Sequence, residues 1–196
     1  MNELHAHMKE CAAEAARVAR GVREDQLSGP TPCTEFDVRT LVNHWVLYTS
    51  HGLEHRALRR PLPETLTERD FTADPHWAQA YAAQLDRAVA AWADPAVWEG
   101  EIDTGFGVGP APEIASLVIK EMAVHGWDVA VSTGQEYTVS PEVGEFLLRV
   151  VEENAEMYRQ YDGFADPVAV DAGASAFERA LALSGRDPRR SPAVKP

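Results

Sequence analysis

Lysine is nearly missing from this chain: Lys9, Lys120 and Lys195 are the only three among 18 basic residues, set against 31 acidic ones in 196. The formal net charge of −13 excludes the positive footprint that nucleic acid or an anionic membrane surface selects. No apolar run approaches the roughly 20 residues of a bilayer-spanning helix. The start, MNELHAHMKECAAEAARVAR, is amphipathic and carries acids, unlike a signal peptide. A cytoplasmic protein without nucleic-acid or membrane partners is expected. Cysteine is equally scarce, so no disulfide framework is available. Cys11 falls on the stripe Leu4, Met8, Cys11, Ala15, Val18 and reads as a small core residue, while Cys33 lies in a Pro-bounded loop. Alternating strand patterns of useful length and internal repeats are absent too.

What is present is helical periodicity. Residues 3–20 repeat every 3.6 positions and stop at Gly21. After the loop Ser28-Gly-Pro-Thr-Pro-Cys-Thr34, Thr34 and Asp37 resemble a capping box that opens a second helix reaching about Arg60, where Pro61 and Pro63 end it. A third begins near Asp74-Pro75 and buries Trp77, Tyr81, Leu85, Ala88 and Trp92. The glycine-rich stretch 98–110 suits a short hairpin or an ordered loop. It does not join a strand to a helix, so it is no phosphate loop. A fourth helix spans roughly 111–132. A fifth starts at Ser140-Pro141 with Val143, Leu147, Val150 and Met157 inward. A short one follows near Ala176–Leu183, and Gly185–Arg190 reads as exposed. The pattern predicts one all-α domain, a four-helix bundle with a core over about residues 1–160 and a C-terminal extension over 161–196.

The chemistry concentrates on the fourth helix. Glu121 and His125 stand four apart, on one helical face and roughly 6 Å apart at Cβ. Ile114, Leu117, Val118 and Val124 make that face apolar, where a carboxylate and an imidazole are costly without compensation. His44, on the inward face of the second helix with Leu41, Leu47, Tyr48 and Leu58, completes a set that suits a divalent cation. Two imidazoles and a carboxylate leave open positions on Zn²⁺, and the same set suits Fe²⁺ or Ni²⁺. The competing reading is a buried polar network in which Glu121 pairs with an arginine. Asp128, three beyond His125, either orients an imidazole or pairs with Arg39. His51-Gly-Leu-Glu-His55 matches an inverted zinc-peptidase pattern, but His51 lies about 10 Å along the axis from His44. His51 then lines a cavity mouth or faces solvent, and Trp45 and Trp127 turn away to pack on other helices.

Pro30-Thr-Pro-Cys-Thr-Glu-Phe-Asp-Val-Arg-Thr-Leu-Val-Asn-His44 resembles the segment opening the second helix of mycothiol-dependent maleylpyruvate isomerase N-terminal domains, members of the DinB-like metalloprotein superfamily. Glu121-Met-Ala-Val-His-Gly-Trp-Asp128, continued by Val-Ala-Val-Ser-Thr-Gly-Gln135, is similar to that family's second signature, E-x-x-x-H-x-x-D-x-A-x-x-x-G. Phe177-Glu-Arg-Ala-Leu-Ala-Leu-Ser-Gly-Arg-Asp-Pro188 resembles the closing motif of a largely uncharacterised branch. The resemblance implies a DinB-like bundle with a divalent metal, usually zinc, on His44, Glu121 and His125. It implies mycothiol or a similar low-molecular-weight thiol as cosubstrate, in S-transfer or isomerisation of a small electrophile. At 196 residues the chain is expected to lack a counterpart of the isomerase's C-terminal domain, which turns the expectation away from maleylpyruvate itself. The alternatives are a non-enzymatic metal-binding or stress protein, and a bundle recruited for another biosynthetic or detoxification reaction. A homodimer through a helix face fits either.

Overall fold

The computed structural model describes residues 2–33, 36–105 and 107–190. Helix α1, Glu3–Arg20, is capped by Asn2 and closes at Gly21. Helix α2, Val38–Val46, begins where the Asp37 carboxylate accepts the Thr40 N–H at 2.8 Å. Thr34, the other half of the expected capping box, lies outside the described residues.

The expected single helix to Arg60 is interrupted. At Leu47–His51 the chain widens into a π turn, then continues as α3, Gly52–Ala57. The Thr49 and Ser50 hydroxyls donate to the carbonyls of Trp45 and Val46, each at 2.6 Å, as the turn loosens the regular ladder. The wider turn also rotates everything after it, which is why Leu58, aligned with His44 on an ideal helix, is exposed.

A short α4, Glu64–Thr67, precedes α5, Trp77–Ala91. All five aromatic and aliphatic residues expected inward here, including Trp92 just past the end, are buried. The glycine-rich stretch forms a hairpin, with β1 (Glu101–Asp103) antiparallel to β2 (Val108–Pro110). It leads directly into α6, Ala111–Ser132. Helix α7, Pro141–Gln160, starts under the Ser140 cap, and α8 spans Ala176–Leu183. On α7 the inward stripe runs Leu147, Val151, Ala155, Tyr158, so Met157 falls one position off it and is exposed.

The fold is an all-α, DinB-like bundle. Helix α1 packs on α5 and α6, α2 crosses α6, and α7 pairs mainly with α8. Two details set the α2–α6 spacing. The buried Trp45 Nε1–H donates to the Met122 carbonyl at 3.0 Å, fastening together the sequence neighbours of His44 and Glu121. Gly126 supplies the clearance: a Cβ built there would lie 2.4 Å from Tyr137 Cε2 and 3.2 Å from Trp45 Cζ2.

Gly126→Ala sets two effects against each other. Alanine gains about 1 kcal/mol of helix propensity, but overpacking two buried rings costs about 1–3 kcal/mol. Because a ring carbon rather than a flexible chain end is in the way, the clash dominates. The urea midpoint should fall at unchanged slope; a rise would show that Tyr137 and Trp45 have room to retreat.

Candidate metal centre

The crossing brings His44 of α2 over Glu121 and His125 of α6, with one donor atom from each lying within 4.8 Å of the others. Glu121 Oε2 is 3.0 Å from His125 Nε2 and 3.9 Å from His44 Nε2. The two imidazoles meet edge to face, centroids 5.1 Å apart, and Phe36 and Tyr48 flank His44 at 5.8 and 4.7 Å. The side chains of His44, Glu121 and His125 are 31%, 24% and 13% exposed, so solvent reaches the cluster. Among the described residues no fourth His, Cys, Asp or Glu joins it. Two imidazole nitrogens and one carboxylate oxygen with an open side fit a divalent cation of the kind that keeps exchangeable positions.

Behind His125 stands an ordered chain of charge. His125 Nδ1 lies 3.0 Å from Asp128 Oδ2. Asp128, fully buried, accepts two bonds from Arg186, from Nε at 2.8 Å and Nη2 at 2.7 Å. Arg186 Nη1 donates to the Ser184 hydroxyl at 3.1 Å. This bidentate pair keeps Asp128 ionised. The network assigns the His125 Nδ1 proton to the Asp128 side and leaves Nε2 for the cluster.

The family model for the mycothiol maleylpyruvate isomerase N-terminal domain matches residues 8–130. The chain belongs to that family. All three cluster residues and Asp128 fall inside the matched stretch, whereas Arg186 lies beyond it. The chain is also 29% identical over 171 residues to the uncharacterised proteins MT0763 and Rv0738 of Mycobacterium tuberculosis (strains CDC 1551 / Oshkosh and ATCC 25618 / H37Rv). In each case the alignment covers 86% of this chain and 87% of the relative. No solved structure matches significantly.

Not every partner expected from the sequence joins this cluster. Arg39 does not pair with Asp128: it bonds Thr72 Oγ1 at 2.7 Å and lies 3.4 Å from Asp70, at the foot of α2. Nor is Gly185–Arg190 uniformly exposed, because Arg186 turns in and is buried. A buried Asp128 needs a cation that can leave water on its own short loop. Arg186, just past α8, meets that need, while Arg39 is held by nearer acceptors. Three basic residues absent from the sequence-based site surround the acids: Arg186, Lys120 and Arg56. Arg56 packs over Gly52, its Nε buried and without a hydrogen-bond partner among the described residues. Burial pushes its pKa down, against the pull of Tyr48 and Glu121.

The peptidase-like pattern does not assemble. His51 stacks on Phe71 at 5.3 Å in a separate cavity of about 130 Å³, His55 Nδ1 lies 2.8 Å from the Pro61 carbonyl, and Glu54 accepts from Gln84. Cys11 and Cys33 form no disulfide. Trp45 and Trp127 are buried, Trp45 against Tyr81 and Trp127 in the wall of another cavity. That separate cavity, of about 770 Å³, is lined by Trp127, Tyr137, Phe177 and Leu181 among others and shares no residue with the cluster.

Burial alone would push the Glu121 carboxyl up, but Lys120 and the two imidazoles outweigh it and hold the group well below the usual carboxylate range. Burial likewise opposes protonation of His125, yet its bonds to Asp128 and Glu121 raise its pKa on balance. In the metal-free protein, the stability lent by protonated His125 is therefore full below the ordinary imidazole pKa. It is lost as pH rises through the raised one. Cation binding requires Nε2 without its proton, so affinity for Zn²⁺ should climb over the same interval, with up to about one proton released per ion. Titration calorimetry in buffers of different ionisation heat reads this directly; no proton release between about pH 5 and 8 would mean that His125 is neutral throughout.

Arg186→Met would strand the Asp128 charge, at an expected cost of about 3–5 kcal/mol in denaturant unfolding. Asp128→Asn should lower Zn²⁺ affinity by about 10- to 100-fold in chelator competition. Unchanged affinity would show that Asp128 does not orient His125.

Proposed function

We propose that this protein binds one divalent cation, most suitably Zn²⁺, through His44, Glu121 and His125. On this reading it uses that centre in a thiol-dependent transfer or isomerisation of a small electrophile. The observation that carries the proposal is the cluster itself: three convergent donors, an open and solvent-reachable side, and no fourth His, Cys, Asp or Glu among the described residues. A structural site closes its coordination sphere with protein; a catalytic one keeps a position for substrate. A bound cation would lower the pKa of a thiol placed on the open side, so that the thiolate is available near neutral pH.

The chain's own residues then have separable tasks. Glu121 brings one negative charge to the centre. His125 offers Nε2 while Asp128 holds its Nδ1 proton, and His44 closes the cluster from α2. Phe36 and Tyr48 wall one side of His44 with aromatic surface, against which an apolar part of a substrate can lie. Membership of the mycothiol maleylpyruvate isomerase family supports mycothiol as the thiol.

Elemental analysis of untagged protein tests the centre. About one divalent ion per chain is expected in the wild type and a near-complete loss in His44→Ala and His125→Ala, with helical content by circular dichroism little changed. Stoichiometric metal retained in both variants would remove these ligands from the proposal. Adding mycothiol to the Co²⁺-loaded protein should then produce a thiolate-to-metal charge-transfer band in the near ultraviolet; its absence would leave the metal centre standing and sink the thiol chemistry.

A further inference from the structure

Lys120 is the least expected side chain in the bundle. Lysine stems normally run along apolar surface and leave the ammonium in water, yet Lys120 is 1% exposed. Taking an ammonium out of water costs several kcal/mol unless its surroundings answer the charge. Its surroundings are specific. Nζ sits 3.8 Å from the centroid of the Tyr158 ring and 5.2 Å from that of Phe164. The carboxylate it touches is Glu121, and the contact is to Oε1.

That division of the carboxylate is the informative feature. Oε2 faces both imidazoles, at 3.0 and 3.9 Å, while Oε1 is taken by Lys120 on the other side. A mere counter-charge could approach either oxygen. The Tyr158 face fixes the ammonium from one side, so only Oε1 is within its reach. We propose that Lys120 is a positioning residue that confines Glu121 to coordination through Oε2 alone, keeping on the cation a place that a chelating carboxylate would fill. The inference rests on the cation reading of the cluster. It assigns a role to a side chain that touches no substrate and acts only through Glu121. It also ties the centre to α7 and the loop after it, since Tyr158 and Phe164 form the seat of the ammonium.

The test is Lys120→Met in the full chain, a change close in volume that removes the charge and the donor. Zn²⁺ affinity by chelator competition should rise roughly tenfold, because a positive charge a few ångströms from the cation is removed and both oxygens of Glu121 are freed to meet it. In the Co²⁺-loaded variant the visible bands should weaken as Oε1 joins and the coordination number increases. A purely packing role for Lys120 would move neither. Tyr158→Leu, which leaves the lysine but removes its seat, should shift both readouts the same way by less, and serves if Lys120→Met does not fold. Cation uptake with spectra and affinity unchanged in the folded variants overturns the role of Lys120 and leaves the centre intact. No uptake by the wild type overturns the cation reading itself, and the assignment of Lys120 with it.

Discussion

Carboxylates on the inward face of one helix govern much of this structure. Glu121 and Asp128 occupy α6, two turns apart, where burial opposes their ionised forms. Each must find positive charge within a few ångströms or give up its own. The chain answers them from opposite directions: Lys120 and the imidazoles at Glu121, Arg186 and His125 at Asp128. In a protein with 31 acids against 18 basic residues, bringing Lys120, Arg186 and Arg56 to one region of the bundle is a strong local reversal of the overall balance. A divalent cation at the cluster would add to a pattern of compensation that the side chains already set up.

The second requirement is proximity. His44 reaches the α6 pair only if α2 lies close across it. Trp45 and Gly126 arrange that together: the indole bonds the α6 backbone at Met122, and the missing Cβ makes room for the indole and for Tyr137. Both act one residue from a cluster member. The π turn after α2 redirects the chain beyond the site without disturbing His44, because the widening begins at Leu47. Tyr48, inside that turn, still packs against the His44 ring.

Much of this was legible in the sequence. Period-3.6 spacing marked α1, α5, α6 and α7, and the Ser140-Pro141 start and the bounds of α8 needed no tertiary information. The convergence of His44, Glu121 and His125 was readable because each sits on an apolar stripe, and buried polar groups on such stripes need partners. What escaped reading depended on long-range geometry. Nothing local distinguishes a π turn at residues 47–51, since the contact of the Thr49 hydroxyl with Tyr81 forms only in the packed bundle. The Asp128 partner was sought on α2 by helical spacing, but it came from residue 186, in a Gly-Arg-Asp-Pro stretch whose composition reads as surface. In the sequence, Lys120 stands out only as one of three lysines. Its meaning lies in two rings from residues 158 and 164, nearly forty positions away or more.

These outer partners bear on where the functional unit ends. The family match stops at residue 130, and within that stretch the three donors and Asp128 are complete. Arg186, Tyr158 and Phe164 are not within it. Without Arg186, Asp128 would be a buried carboxylate with only the His125 imidazole beside it. The proton between them would then be shared differently, and with it the readiness of Nε2 to take a cation. Without the Tyr158 and Phe164 faces, Glu121 alone would answer the Lys120 ammonium out of water. On the cation reading, the matched stretch would supply the donors, and the segment from α7 to the loop after α8 would set their charge and orientation. The relatives align over 87% of their length, a longer span than the matched stretch.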